Sequence, residues 1–383
     1  MMKSLGSLLL AGSFSTSLAE KSSLWTDSNP YASFEKASKK GLRSSAPPGP
    51  CVAPGTCTPP NTKYSRVVPG ITPGQQWNIA GGFCGAFSVQ HGALGRAGAW
   101  ISQDLVRKSN RDQPGEHHMH GDGTVGYEVM PSNVAYTANA LRLLYDEFDY
   151  TQPSPQAPAF KKWLKAHLSQ GNPIAWFPMC KGDSHVCYPL SCPNGGSCDH
   201  VEPMYGIFSN HPLTDPTVYD DDYILHASDQ DFQTYYRPIN SLDDTTAMEG
   251  NCKNAGSGFG KNEMYPCFDS SVTYGLAVLG LNVTGILPLS LSTEGSTQEP
   301  DTRVGETAVP FHGTVLIQNL TVGGSYVIYR YNGTDTLPLG PPFAKTKFQY
   351  STPFKATSES FTWKDPKTFM SNTATYYLAA PAE

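Results

Sequence analysis

Residues 75–88 read Gln75-Gln-Trp-Asn-Ile-Ala-Gly-Gly-Phe-Cys-Gly-Ala-Phe-Ser88, and the stretch runs on to Lys108 with Phe87, Leu94, Ala97, Ile101 and Leu105 at broadly helical spacing. The spacing predicts a helix over Cys84–Lys108, and its many Ala and Gly residues suit close packing in a core. Cys84 then stands at the helix N-terminus, with Gly81 and Gly82 before it and Gly85 after it. A thiol in that position meets the positive end of the helix dipole, which favours the thiolate. Small neighbours let a substrate backbone approach, and the Cys84 amide is placed to meet a developing oxyanion.

Cysteine arithmetic singles out the same residue. The chain has nine Cys, an odd number. Cys51 lies near Cys57, Cys252 near Cys267, and Cys180, Cys187, Cys192 and Cys198 form a cluster. Four disulfides use these eight and leave Cys84. The cluster of four admits three pairings, and spacing does not choose among them. Zinc is the rival reading of the cluster; export and the uneven spacings favour disulfides.

Export is read from the N-terminus. Met1-Met2-Lys3 gives a positive start, Ser4 to Phe14 an apolar run, and Ser17-Leu18-Ala19 the small residues for cleavage after Ala19. The expected location is secreted or lumenal. No later stretch has the roughly 20 apolar residues of a membrane span. Sequons at Asn282, Asn319 and Asn332 offer N-glycan sites in the last third. The 383 residues carry 27 basic and 33 acidic side chains, net −6, without a basic block, so nucleic acid is excluded as the expected partner. Gly (36) and Pro (32) predict many turns.

Four segments follow: a signal peptide over 1–19, a Pro-rich linker, arm or propeptide over 20–70, a mixed region over 71–284, and an all-β sandwich over 285–383. Within the mixed region a second helix runs from an Ser132 N-cap through Leu141, Leu144 and Phe148. A third runs from Phe160 to a stop at Gly171. Strands are expected at Pro173–Pro178, Val201–Phe208, Tyr223–His226 and Val272–Leu281. Helices before strands predict an α+β class. Beyond 285, Val315–Leu320, Ser325–Tyr331 and Thr375–Leu378 read as strands between turns.

The Cys84 segment resembles that of papain-like cysteine peptidases, and more closely the bacteriocin-processing (double-glycine) peptidases. Gly123–Leu141 is similar to the loop and second helix of that group, and Phe160–Trp176 to its helix, Gly stop and strand. The resemblance implies a papain-like α+β fold over 71–284. It implies His200, at the head of Asp199-His-Val-Glu-Pro-Met-Tyr-Gly-Ile-Phe208, as general base, and Asp229 as its orienter, with His226 and Ser228 as rivals. Six residues before Cys84, the family's oxyanion amide corresponds to Asn78, where the family usually carries Gln; Gln75 and Gln76 are the alternatives. Leu320-Thr-Val-Gly-Gly-Ser-Tyr326 resembles the tyrosine corner of fibronectin type III domains, with Val322 in place of Pro.

The function expected is that of a secreted thiol hydrolase acting on peptide or other amide bonds through an acyl-enzyme. Two alternatives stand beside it: an amide-forming acyltransferase using the same site, and a non-catalytic extracellular binding protein. The reading calls for neither cofactor nor metal. His117-His-Met-His120-Gly-Asp122 reads as a solvated loop rather than a metal site, and Asp220-Asp-Asp222 as a strand-entry turn.

Overall fold

The computed structural model describes residues 56–71, 74, 76, 83–109, 129, 131, 133–149, 156–177, 179–180, 198–199, 201–227, 233–242, 274–294 and 308–382. All of them belong to one unit, Arg43–Glu383. In chain order, β1 (Tyr64–Val67) precedes α1 (Cys84–Gly92), a π-helical turn (Ala93–Ala97), β2 (Ala99–Ile101), α2 (Gln103–Lys108), α3 (Val134–Ala140), β3 (Leu143–Glu147) and α4 (Ala157–Gln170). Six strands follow: β4 (Ile174–Trp176), β5 (Met179–Cys180), β6 (Cys198–Asp199), β7 (Glu202–Ser209), β8 (Tyr223–Ala227) and β9 (Thr234–Pro238). The last eight are β10 (Gly275–Leu281), β11 (Leu289–Glu294), β12 (Pro310–Gln318), β13 (Ser325–Tyr331), β14 (Tyr350–Lys355), β15 (Ser360–Lys364), β16 (Phe369–Met370) and β17 (Ala374–Pro381).

The papain-like α+β expectation is corrected by this architecture. Strands hold 38% of the described residues against 23% in helices, and no papain-like α+β fold is evident among them. Two of the three helices read from periodicity are cut short. The first gives way at Gly98, whose φ of 58° ends the π turn. A Cβ there would lie 1.5 Å from Leu289 Cδ1, so backbone conformation and close packing both require glycine. Ala99–Ile101 then turn into a strand, and Ser102, its hydroxyl accepting the Leu105 N–H, caps a separate α2. The second helix stops at Ala140. Arg142 takes φ 60°, and Leu143–Glu147, read as helix, pair with β10 instead. Leu and Phe at mixed spacing satisfy either period, and the neighbouring strand decides. The third helix, α4, does end at Gly171, which caps it at φ 78°.

One sheet of seven strands runs in the order β3-β10-β4-β7-β8-β9, with β1 also on β7, and its pairings are antiparallel. β7 is buried along its length, with layers on both faces. Phe160, Leu164 and Leu168 of α4 pack with Ile174, Trp176, Met204 and Ile224 on one side. Ala86 and Val89 of α1 pack with Ala175, Leu276 and Val278 on the other.

Two four-stranded sheets make up the C-terminal part, β11-β12-β15 with β16 on β12, and β14-β13-β17-β2. β12 alternates between exposed and buried positions, as expected of a strand with one face inward. Leu291, Phe311, Val315 and Ile317 of one sheet meet Ile328, Tyr377 and Ala379 of the other in a shared core. β2 joins that second sheet through Ala99↔Tyr376 and Ile101↔Ala374, and Trp100 inserts between the layers, 4.8 Å from Phe311 and bonded through its indole N–H to Ser371 O. The sequence between two helices thus supplies an edge strand to the sandwich-like part. At the turn before β13 the Tyr326 hydroxyl accepts the Thr321 N–H at 2.8 Å.

Candidate functional site

Cys84 is the first residue of α1 and is 8% exposed. It carries a thiol and is not half of a disulfide. The residue before it, Phe83, caps the helix without a side-chain bond of its own. Its N–H is instead taken by Oε1 of Gln76 at 3.0 Å, and its ring lies under the Arg107 guanidinium at 4.2 Å. Gln76 is buried, so one of the orphan donors at the start of α1 is satisfied by an amide side chain held in place. The residue after Cys84 must be Gly: a Cβ on Gly85 would fall 2.0 Å from the carbonyl oxygen of Val129. The backbone at Val129 therefore lies directly against the start of α1.

Cys84 shares its buried cluster with Phe83, Val129, Phe177, Val201 and Tyr274. Strand register explains why the last three gather. Trp176 is opposite Glu202 and Gly275 opposite Trp176, so β4 leaves the sheet, and β7 and β10 enter it, at one edge. Phe177 N–H donates to Tyr274 O there. The far end of α1 lies over β10, where a Cβ on Gly92 would meet Val278 Cγ2 at 2.6 Å.

Of the residues expected in the site, the structure describes Cys84, Gln76 and His226. His200, Asp229, Asn78, Gln75 and Ser228 lie outside the described residues, as do His117–Asp122 and, of the cysteine cluster, Cys187 and Cys192. His226 sits on β8 with its Nδ1 2.9 Å from Glu202 Oε2, and both side chains are wholly buried. The sequence reading missed Glu202, although a carboxylate inside the apolar run Val201–Phe208 is itself a signal that a buried partner exists.

The acidic run before β8 is divided among separate partners. Asp220 accepts from Asn240 Nδ2 at 2.6 Å and Asp221 from Asn210 Nδ2 at 2.7 Å. Asp222 is buried against Lys165 at 2.7 Å and also accepts the Tyr219 N–H. This is the strand-entry turn that the sequence suggested. Among the described residues no group of three His, Cys, Asp or Glu is placed to hold a metal ion, and no helix is long and apolar enough to cross a membrane.

Comparison with family models, curated proteins and solved structures finds no match.

Proposed function

We propose that the chain is an exported thiol hydrolase acting on peptide or other amide bonds, with Cys84 as nucleophile. The observation that carries this reading is a thiol at the first position of a nine-residue helix, beside the buried amide of Gln76 fixed on Phe83 N–H. The helix start favours the thiolate, and the backbone N–H groups there are suited to an oxyanion. In this reading the Cys84 thiolate attacks the carbonyl carbon and the C–N bond breaks. His200, having taken the thiol proton, returns it to the leaving amine, and Asp229 orients the imidazole. Water then cleaves the thioester with His200 as base. Gln76 takes the oxyanion role for which Asn78, Gln75 and Gln76 were the candidates. His226 is engaged with Glu202, which favours Asp229 or Ser228 as orienter.

Export is supported by the sequons: Asn282, Asn319 and Asn332 are all exposed, at the ends of β10, β12 and β13. The low exposure of Cys84 favours one second reading, a binding protein whose thiol is merely packed.

Iodoacetamide labelling of the full chain across pH, paired with turnover of amide probes, tests the choice. A hydrolase alkylates at Cys84 with a midpoint below the ordinary Cys value of about 8.5, and Cys84→Ala loses turnover while keeping its unfolding midpoint. Turnover retained in Cys84→Ala, or a thiol that resists labelling up to pH 9 or so, overturns the proposal. A competing amine that captures the acyl group would reassign the site to acyl transfer.

A further inference from the structure

Far from Cys84 along the same helical segment, a cavity of about 280 Å³ opens between β1, the π turn, the end of α4 and strands β11 and β12. Arg66 and Arg96 both line it, together with Gly171, Leu289, Leu316 and Gln318, and among the described residues of its wall the two arginines are the only charged ones. Arg66 is exposed, and Arg96 is partly buried with an Nε that has no hydrogen-bond partner among the described residues. Burial, and then the charge of Arg66, hold the Arg96 guanidinium below its ordinary range, so the two cations feel one another.

A guanidinium drawn partly out of water, as that of Arg96 is, is ordinarily paired, because an uncompensated charge away from water is costly. Among the described residues of the wall there is no acidic side chain to compensate it. Arg66 lies over Gly171, where a Cβ would meet its Nε at 3.0 Å, and so reaches the C-terminal end of α4. A helix C-terminus offers only about half a negative charge, against two full positive ones.

We propose that this cavity is a binding site for a doubly charged oxyanion, phosphate or sulfate, either free or as a monoester. Two guanidinium forks match such an ion in charge and in paired N–H donors. Val67, Leu289 and Leu316 supply an apolar wall beside the charges, suited to the short organic group of a monoester. The assignment does not depend on the chemistry of Cys84.

The test is calorimetric titration of the full chain with inorganic phosphate and with phenyl phosphate, beside thermal unfolding in phosphate and in chloride at equal ionic strength. Saturable binding and a phosphate-specific rise in Tm are expected. Arg96→Gln and Arg66→Gln should each weaken binding by about tenfold, the loss of one charge-assisted contact. Arg66 is exposed, so its variant keeps the fold even where Arg96→Gln does not. Tighter binding of phenyl phosphate assigns a monoester, and equal binding assigns the free ion. Equal Tm in phosphate and chloride, or an undiminished phosphate response in Arg66→Gln, overturns the site.

Discussion

Oε2 of Glu202 lies 2.9 Å from Nδ1 of His226, and neither side chain reaches solvent. The pair joins β7 to β8 in the seven-stranded sheet, and Glu202 stands two residues after His200 in the chain. Removing one partner takes a charge-assisted contact away from the other inside the sheet. Glu202→Ala is expected to cost about 3–5 kcal/mol, while Glu202→Gln, which retains a hydrogen-bonding group, should cost clearly less. Urea unfolding of both variants checks this, and equal losses would mean that the hydrogen-bonding group kept by Gln contributes nothing and that the carboxylate charge carries the whole effect.

A second buried pair holds the sandwich-like sheets together. Arg330 Nη1 meets Asp365 Oδ2 at 2.8 Å, the same oxygen accepts from the Tyr377 hydroxyl at 2.5 Å, and the Tyr350 hydroxyl donates to the other oxygen. Burial and the adjacent carboxylate push the Tyr377 phenol well above its usual range. We expect Asp365→Ala to destabilise by about 3–5 kcal/mol, since a guanidinium and two hydroxyls lose their acceptor together. Tyr350→Phe, removing one hydroxyl, should cost about 1 kcal/mol. Denaturant midpoints of the two variants provide the comparison.

Glycine at position 85 ties the start of α1 to Val129. Gly85→Ala would press a methyl carbon against a backbone carbonyl, and a loss of about 1–3 kcal/mol is expected. Where Cys84 is a nucleophile, the same change should also slow its alkylation, because the adjoining backbone must shift. Stability and labelling rate measured on one sample test both effects.

His167 supplies a pH dependence. Partial burial lowers its imidazole from the ordinary value, against the opposing pull of Asp146. A lowered folded value means that the unfolded chain binds the proton more readily. Stability from this group is therefore present above about pH 6.5 and is lost as pH falls toward the folded value. The difference in unfolding free energy between the wild type and His167→Gln should shrink from pH 7.5 to pH 5. A difference that stays constant across that range would exclude the group as a source of acid sensitivity.

Backbone register bears on the cysteine cluster, for which three pairings were open. Cys180 and Cys198 are Cα partners in the β5–β6 pair, and residues facing across an antiparallel ladder are about 4.5–5.5 Å apart, within disulfide range. Non-reducing peptide mapping should find Cys180 linked to Cys198, which leaves Cys187 to Cys192. A crossed link, such as Cys180 to Cys187, would rule this connectivity out.

Some of this was legible in the chain. Gly171 ended α4 where the sequence placed a stop, because Gly adopts positive φ without steric cost. β7, β8 and β10 were visible as apolar runs between turn residues. The start of α1 at Cys84 was visible as the point where a Gly-rich stretch gives way to an apolar period. The failures have one cause. Ala99–Ile101 and Leu143–Glu147 carry patterns compatible with helix or strand, and each became a strand because a partner, β17 or β10, offered an open edge. The α+β class failed with them.

By itself the sequence determined local matters: which residues punctuate the chain, which cysteine is left over by the count, and where apolar runs begin and end. These depend on properties that a residue carries with it, such as glycine's freedom in φ or the period of a run. The tertiary structure alone decided that Glu202 meets His226, that Gln76 anchors the start of α1, that Trp100 lies inside the sandwich-like part, and that Arg66 and Arg96 face the same cavity. Those pairings join residues from 7 to 271 positions apart in the chain. Contacts of that kind follow from strand register and packing, which a residue's neighbours in sequence do not encode.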